Sequence, residues 1–253
     1  MKKQENQYKT YINLSKNESD LLNNIENILV FSTSILNKKT GWKYSKIKNT
    51  LTSLKKKKII LPIIKNNYVI KTKIPENLFC IANNIINPSY VSFWTAFSYY
   101  GCTEQQIKSI QTISPKQYKN IHFDNILIET TTFKSKEFFG YKRINNFVIA
   151  EKEKLIIDSL YKPEKVGGID ELNKCIKNIW KEINQKKLLE YLQKFDNKSL
   201  YARLGYLLEY LKLPNNYKNI FLKNLPLSYT KLNPRKKERK NYNKKWMVLA
   251  NDQ

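Results

Sequence analysis

The stretch that decides the fold is PSYVSFWTAFSYYGCTE, residues 88–104, the least polar segment of a lysine-rich chain. Pro88 and Ser89 supply a helix start with Ser89 as N-cap, and Gly101 supplies a left-handed stop, which predicts about three turns of helix between them. Tyr90, Val91, Phe93, Trp94, Ala96, Phe97, Tyr99 and Tyr100 cover every side of that helix, so it is expected to be enclosed by other elements. Ser92, Thr95 and Ser98, three residues apart, leave a thin seam for a close neighbour. The competing reading is an aromatic platform for stacking single-stranded nucleic acid.

Working outward, Pro75 and Glu76 open the domain that holds this helix, with a preceding helix through Leu78, Ile81, Ala82 and Ile85. After Gly101 the runs IQTIS, NILIETTTF, EFFGYKRI and NFVIA are β-branched or aromatic and bounded by polar turns, the pattern of strands in one sheet. EKEKLIIDSLY, residues 151–161, predicts a helix with Leu155, Ile156 and Leu160 inward. Asp124 and Glu129 flank a strand as acids do in metal-dependent nucleases, yet the next lysine is Lys134 and the close acid–lysine pair of such sites is missing. His122, the single histidine, has no Ser or Cys motif beside it, and no glycine-rich phosphate loop occurs. No cofactor or metal is indicated, and the chain is not expected to be an enzyme.

Toward the N-terminus the charge pattern dominates. Lysine and arginine number 46 against 21 acids, a formal charge of +25, which points to an acidic polymer as partner. Genome base composition can explain why the cations are lysines, but not why acids vanish locally: from Asn27 to Ile74 there is none, while Lys occurs twelve times. Leu21, Leu22, Ile25, Ile28 and Leu29, after a capping Ser19, predict a first helix; residues 32–39 predict a second, ending at Gly41. Residues 43–57 predict a third, with Ile47, Leu51 and Leu54 inward and Lys43, Lys46, Asn49, Thr50, Ser53 and Lys57 outward. IILPII and YVIKT, joined through Lys65, Asn66 and Asn67, predict a hairpin. Three helices and a hairpin are the pattern of a winged helix-turn-helix, whose third helix enters the major groove, and Lys, Asn, Ser and Thr are residue types that read phosphates and base edges there.

Beyond residue 161, Gly167 and Gly168 lead into three amphipathic helices marked by Leu172, Ile176, Ile179 and Ile183, by Leu188, Leu189, Leu192 and Phe195, and by Leu200, Leu204, Leu207, Leu208 and Leu211. Gly205 inside the third predicts a close crossing, and a short helix is expected between Pro214 and Pro226. RKKERKNYNKK, residues 235–245, carries seven cations and one acid, and is expected to be a mobile loop gripping anion before a last strand through Trp246 to Leu249. Cys80, Cys102 and Cys175 form no metal or disulfide pattern. With no apolar span and no leader-like start, a soluble, cytoplasmic protein without a membrane partner is expected.

The expected fold class is α+β: a winged helix-turn-helix over residues 1–75, then a mixed α/β core with a helical C-terminal part over 76–253. PSYVSFWTAFSYYGCTE, FFGYKRINNFVIAEKEKLIIDSLY, YARLGYLLEYL and YNKKWMVLAND, in that order, resemble the AbiEi antitoxin family of abortive-infection systems, over roughly residues 20–250. The resemblance implies a DNA-binding regulator of its own operon that counters a nucleotidyltransferase-like toxin without a stable complex. The chain departs from that family in its heavy lysine content and in Asn66 and Asn67 at the wing turn, where Gly is usual. The DNA-contacting set is then expected to be Lys43, Lys46, Asn49, Thr50, Ser53, Lys57, Lys58 and Lys65, joined by Arg235, Lys236, Lys237, Arg239 and Lys240. The alternatives are a nuclease-like enzyme using Asp124 and Glu129, and an RNA-binding antitoxin that shields the toxin's substrate.

Overall fold

Ser15, and not the expected Ser19, caps the first helix of the computed structural model, α1 (Lys16–Asn24). Ser15 Oγ accepts from the Glu18 N–H at 3.4 Å while Glu18 Oε2 accepts from the Ser15 N–H at 2.7 Å, so two donors that a helix start leaves open are satisfied reciprocally. The structure describes residues 13–104, 109–237 and 241–251. It mixes helices and sheets in an α+β fold, and divides into two units, one of residues up to 81 with 121–125 and the other of the remainder.

In the first unit β1 (Val30–Ser32) precedes α2 (Thr33–Thr40) and α3 (Tyr44–Lys56), and β2 (Ile60–Ile64) and β3 (Asn67–Ile70) follow. The strands form an antiparallel sheet in the order β1-β3-β2. β1 was not expected, because three residues are too few to show alternation. Gly41 ends α2 at φ 68°, and Asn66 makes the hairpin turn at φ 62°, as the turn chemistry predicts. Pro62 is tolerated because β2 is an edge strand, where a missing N–H costs no ladder bond. Leu21, Ile25, Phe31, Ile47, Leu51 and Leu54 are fully or almost fully buried in this unit's core.

In the second unit, after α4 (Ile74–Ile85), the stretch expected to be one helix is divided. Tyr90–Val91 is a strand, β4; Ser92 is the N-cap and α5 runs only from Phe93 to Tyr99, with Gly101 at φ 69° beyond it. Sheet pairing wins over helix here: Tyr90 and Val91 pair antiparallel with Ile113 and Thr112 of β5 (Ser109–Ser114), and Val91 pairs parallel with Ile149. β6 (Ile121–Phe123) is grouped with the first unit; β7 (Ile126–Thr132), β8 (Tyr141–Ile144) and β9 (Phe147–Ala150) complete a sheet ordered β7-β5-β4-β9-β8 within the second. The segment is central, as expected, with Tyr90, Val91, Phe93, Ala96 and Phe97 at 0% exposure, but Tyr99 stands outward.

Helices α6 (Lys152–Tyr161), α7 (Ile169–Ile179), α8 (Gln185–Phe195), α9 (Lys198–Tyr210) and α10 (Lys218–Lys223) match the apolar spacings, except that Ile183 lies past the end of α7 and Leu211 is the C-cap of α9. A small sheet of β10 (Thr230–Lys231), β11 (Tyr242–Asn243) and β12 (Val248–Leu249) has β12 in its middle. Gly205 faces the Trp246 ring so closely that a Cβ there would overlap it, which is the close crossing the glycine foretells. α6 also carries an ion pair no apolar pattern announces: Lys154 and Asp158, four residues apart and both wholly buried. Asp158 Oδ2 accepts from Ser92 Oγ at 2.9 Å and from Tyr90 OH at 3.1 Å, and Lys154 Nζ lies 5.0–5.5 Å from the ring centroids of Tyr90, Phe133, Phe139 and Phe195. Burial pushes the Lys154 pKa down and the Asp158 pKa up, and their mutual contact opposes both shifts.

Candidate nucleic-acid interface

Ile47, Thr50, Leu51 and Leu54 are the buried residues of α3, and they fix which side of the helix faces outward. At about 100° per residue, Ser45, Asn49, Thr52 and Lys56 fall within about 30° of the line opposite that stripe. All four are exposed, with Lys48 and Lys55 on one flank and Lys46 on the other. The face thus has the neutral hydrogen-bonding side chains of Ser45, Asn49 and Thr52 along its centre, with Lys56 on the same line at the C-terminal end and the other lysines at its margins. Lys46 Nζ sits 3.7 Å from the centre of the Trp42 ring, which holds that cation at the helix start.

This rotates the expected set. Thr50 is a correction: it is buried, and its hydroxyl donates to the Lys46 carbonyl at 3.0 Å, because its place in the helix belongs to the inward stripe. Ser53 and Lys57 are corrected too, in their partners: Ser53 Oγ donates to Glu18 Oε1 at 2.7 Å and Lys57 Nζ reaches Glu18 Oε2 at 2.7 Å. Burial would raise the Glu18 pKa, but Lys57, the Ser15 N–H and Ser53 together hold it down at about 2. An acid from α1, outside the acid-free run, therefore does offset one edge of the cluster. Lys43 precedes α3 and is exposed; Lys58 is exposed at φ 55°, and Lys65 is exposed at the hairpin turn. Ser45, Lys48, Thr52, Lys55 and Lys56 were missed: the inward stripe of Ile47, Leu51 and Leu54 was read as it stands, but the residues assigned outward, Asn49 apart, lie about a quarter-turn or more from the line opposite it.

The basic segment near the C-terminus is bracketed by bonds. Asn251 Nδ2 donates to the Lys236 carbonyl at 3.0 Å and to that of Asn233 at 2.9 Å, and the Ala250 N–H donates to Asn241 O at 3.0 Å. Arg235 pairs with Glu164 at 3.3 Å, and Lys245 pairs with Glu209, so two of the seven cations already have carboxylates. Lys237 is exposed. Arg239 and Lys240 lie outside the described residues.

Asp124 is exposed in a turn at φ 50°, and Glu129 is paired with Lys165 at 3.3 Å. His122 is exposed on β6. Among the described residues no group of three or more His, Cys, Asp or Glu side chains could hold a metal ion, and no helix is long and apolar enough to cross a membrane.

No family model and no curated protein matches the sequence. Among solved structures the chain is similar to the crystal structure of the RV2827C protein from Mycobacterium tuberculosis, with a TM-score of 0.67 over 93% of this chain and 92% of that one. Their sequences are 11% identical, so what the two chains share is the fold.

Proposed function

We propose that the chain is a duplex-DNA-binding regulator that acts as the antitoxin of a nucleotidyltransferase-like toxin, and is not itself an enzyme. In this reading the first unit is a winged helix-turn-helix, α3 is the helix that enters the major groove, and the β2–β3 hairpin with Lys65 is the wing. The observation that carries it is the outward face of α3. Asn49, Thr52 and Ser45 at the centre suit base edges, Lys46, Lys48, Lys55 and Lys56 suit phosphates, and the segment from Asn27 to Ile74 brings no carboxylate of its own. The antitoxin role and the operator upstream of its own operon rest on the sequence resemblance to AbiEi proteins.

Two measurements test the two halves. Footprinting of the full chain on the DNA upstream of its gene should give a discrete protected site in the presence of competitor DNA; uniform binding with no site sinks the regulator reading. Co-expression with the toxin reading frame beside the gene should restore growth, and continued arrest with soluble protein present sinks the antitoxin reading.

A further inference from the structure

A cleft of about 280 Å³ in the second unit has a composition unlike the rest of this basic surface. One wall is the end of α4 and the turn after it, with Asn83, Asn84, Asn87 and Ser89; the other is the β8–β9 hairpin, with Tyr141, Arg143, Asn146 and Val148. Amides, one guanidinium and the aromatic rings of Phe138 and Tyr141 line it, and no carboxylate does. Tyr141 and Arg143 point the same way because alternate residues of a strand share a face.

The cleft is held rigidly. Asn83 Nδ2 donates to Ser89 Oγ at 3.0 Å while Asn83 Oδ1 accepts from the Val148 N–H at 2.7 Å, which ties the two walls together. Behind the rings, Tyr141 lies 5.2 Å from Tyr90 and 5.0 Å from Phe138, centroid to centroid. The hydroxyl of Tyr90 bonds to both Lys154 and Asp158, so the buried ion pair fixes the base of the stack. Tyr141 nonetheless remains 41% exposed, and Arg143 makes no ion pair with a described residue. A preset aromatic surface, the exposed amides of Asn87 and Asn146 that can both donate and accept, and an unneutralised guanidinium match one ligand chemistry: a planar base that stacks, carries mixed donors and acceptors on its edge, and is attached to phosphate.

We propose that this cleft binds an unpaired nucleobase of a single-stranded nucleic acid, stacked on Tyr141 with its phosphate at Arg143. The site is separate from α3 in residues and in ligand, since a base in a duplex keeps its faces stacked on its neighbours. Its failure would therefore leave the duplex-DNA reading untouched.

The test uses the full chain carrying Lys48→Ala, Lys55→Ala and Lys56→Ala, to suppress backbone binding at α3. Labelled ten-nucleotide RNA and DNA single strands and a duplex of the same sequence are titrated by fluorescence anisotropy, and AMP and UMP by NMR. Expected are single-strand binding tighter than duplex binding and a loss of about tenfold or more with Tyr141→Ala or Arg143→Glu, with duplex affinity changed far less. Tyr141→Phe should retain binding. Tyr141→Ala removes a ring that packs on Tyr90; if it lowers the melting temperature, Arg143→Glu, at an exposed unpaired position, decides. Tighter binding of RNA than DNA assigns a contact to the 2′-hydroxyl, and equal binding assigns recognition to the base and phosphate alone. A folded Arg143→Glu variant with unchanged single-strand affinity, or single strands bound no better than duplex, overturns the proposal.

Discussion

Lys57, the residue that caps the end of the third helix, and Glu18 of the first meet at 2.7 Å, and the carboxylate is almost fully buried at 2% exposure. The contact joins α1 to the end of α3 and gives Glu18 three roles at once: partner of its own helix cap, acceptor for Ser53 and counter-ion for Lys57. It also removes Lys57 from the pool of cations free to meet phosphate.

Glu18 makes stability depend on acid. Its folded pKa is about 2 against an ordinary 4.5, so the native state favours the carboxylate, and the stabilisation is complete above the ordinary value and is lost as pH falls from there toward 2. Glu18→Gln should cost about 1 to 3 kcal/mol at pH 7 and much less at pH 3. Urea midpoints at the two pH values check this, and an equal cost at both contradicts it.

The Lys154–Asp158 pair should be strongly non-additive. Lys154→Met or Asp158→Leu alone strands a buried charge and should cost about 3 to 5 kcal/mol, while the double variant should cost well under the sum. A double-mutant cycle in denaturant reads the coupling; additive losses would show that the pair does not act as a unit.

Gly205→Ala tests a sign. Helix propensity alone predicts a gain of about 1 kcal/mol for alanine in a helix interior. The Trp246 ring occupies the place of the new methyl, so overpacking should reverse this into a loss of about 1 to 3 kcal/mol. A higher melting temperature would mean that the indole moves aside freely.

Duplex binding should divide by residue type. Replacing Lys48, Lys55 and Lys56 with alanine should lower the salt slope of log affinity by about 0.9 for each phosphate left without its cation, on any sequence. Asn49→Ala should instead cost about 1 to 3 kcal/mol on the preferred site and little on random DNA. Removing the cations of residues 235–245 should lower the slope by fewer units than their number, since Arg235 and Lys245 are already paired. Binding isotherms across a salt series on both duplexes measure all three.

The long amphipathic helices α7, α8 and α9, the turn at Asn66 and the stops at Gly41 and Gly101 were legible because periodicity and positive-φ chemistry are local. β1 and β4 were not. Each is two or three residues long, and Tyr90–Val91 sits in an apolar run that a buried helix would share, so only its partners Ile113 and Ile149, both distant in sequence, decide between strand and helix. On α3 the existence of a basic face was legible, but its direction was misjudged, because Thr50, Ser53 and Lys57 look as polar as Thr52 and Lys56. That Ser53 and Lys57 are engaged depends on Glu18, more than thirty residues upstream. The buried Lys154 and Asp158 gave no apolar signal, and neither did the cleft at Tyr141 and Arg143, whose walls come from segments about fifty residues apart.

β12 is the middle strand of its sheet and Trp246 covers Gly205. On a ribosome, α9 therefore emerges with its glycine groove open and waits roughly forty residues for the indole, about two to eight seconds at ordinary elongation rates. The first unit, whose core needs little from the distal chain, can close long before. A nascent protein of this design would spend that interval with its N-terminal unit complete and its C-terminal helices unsealed, which is when a chaperone or a protease would have its opening.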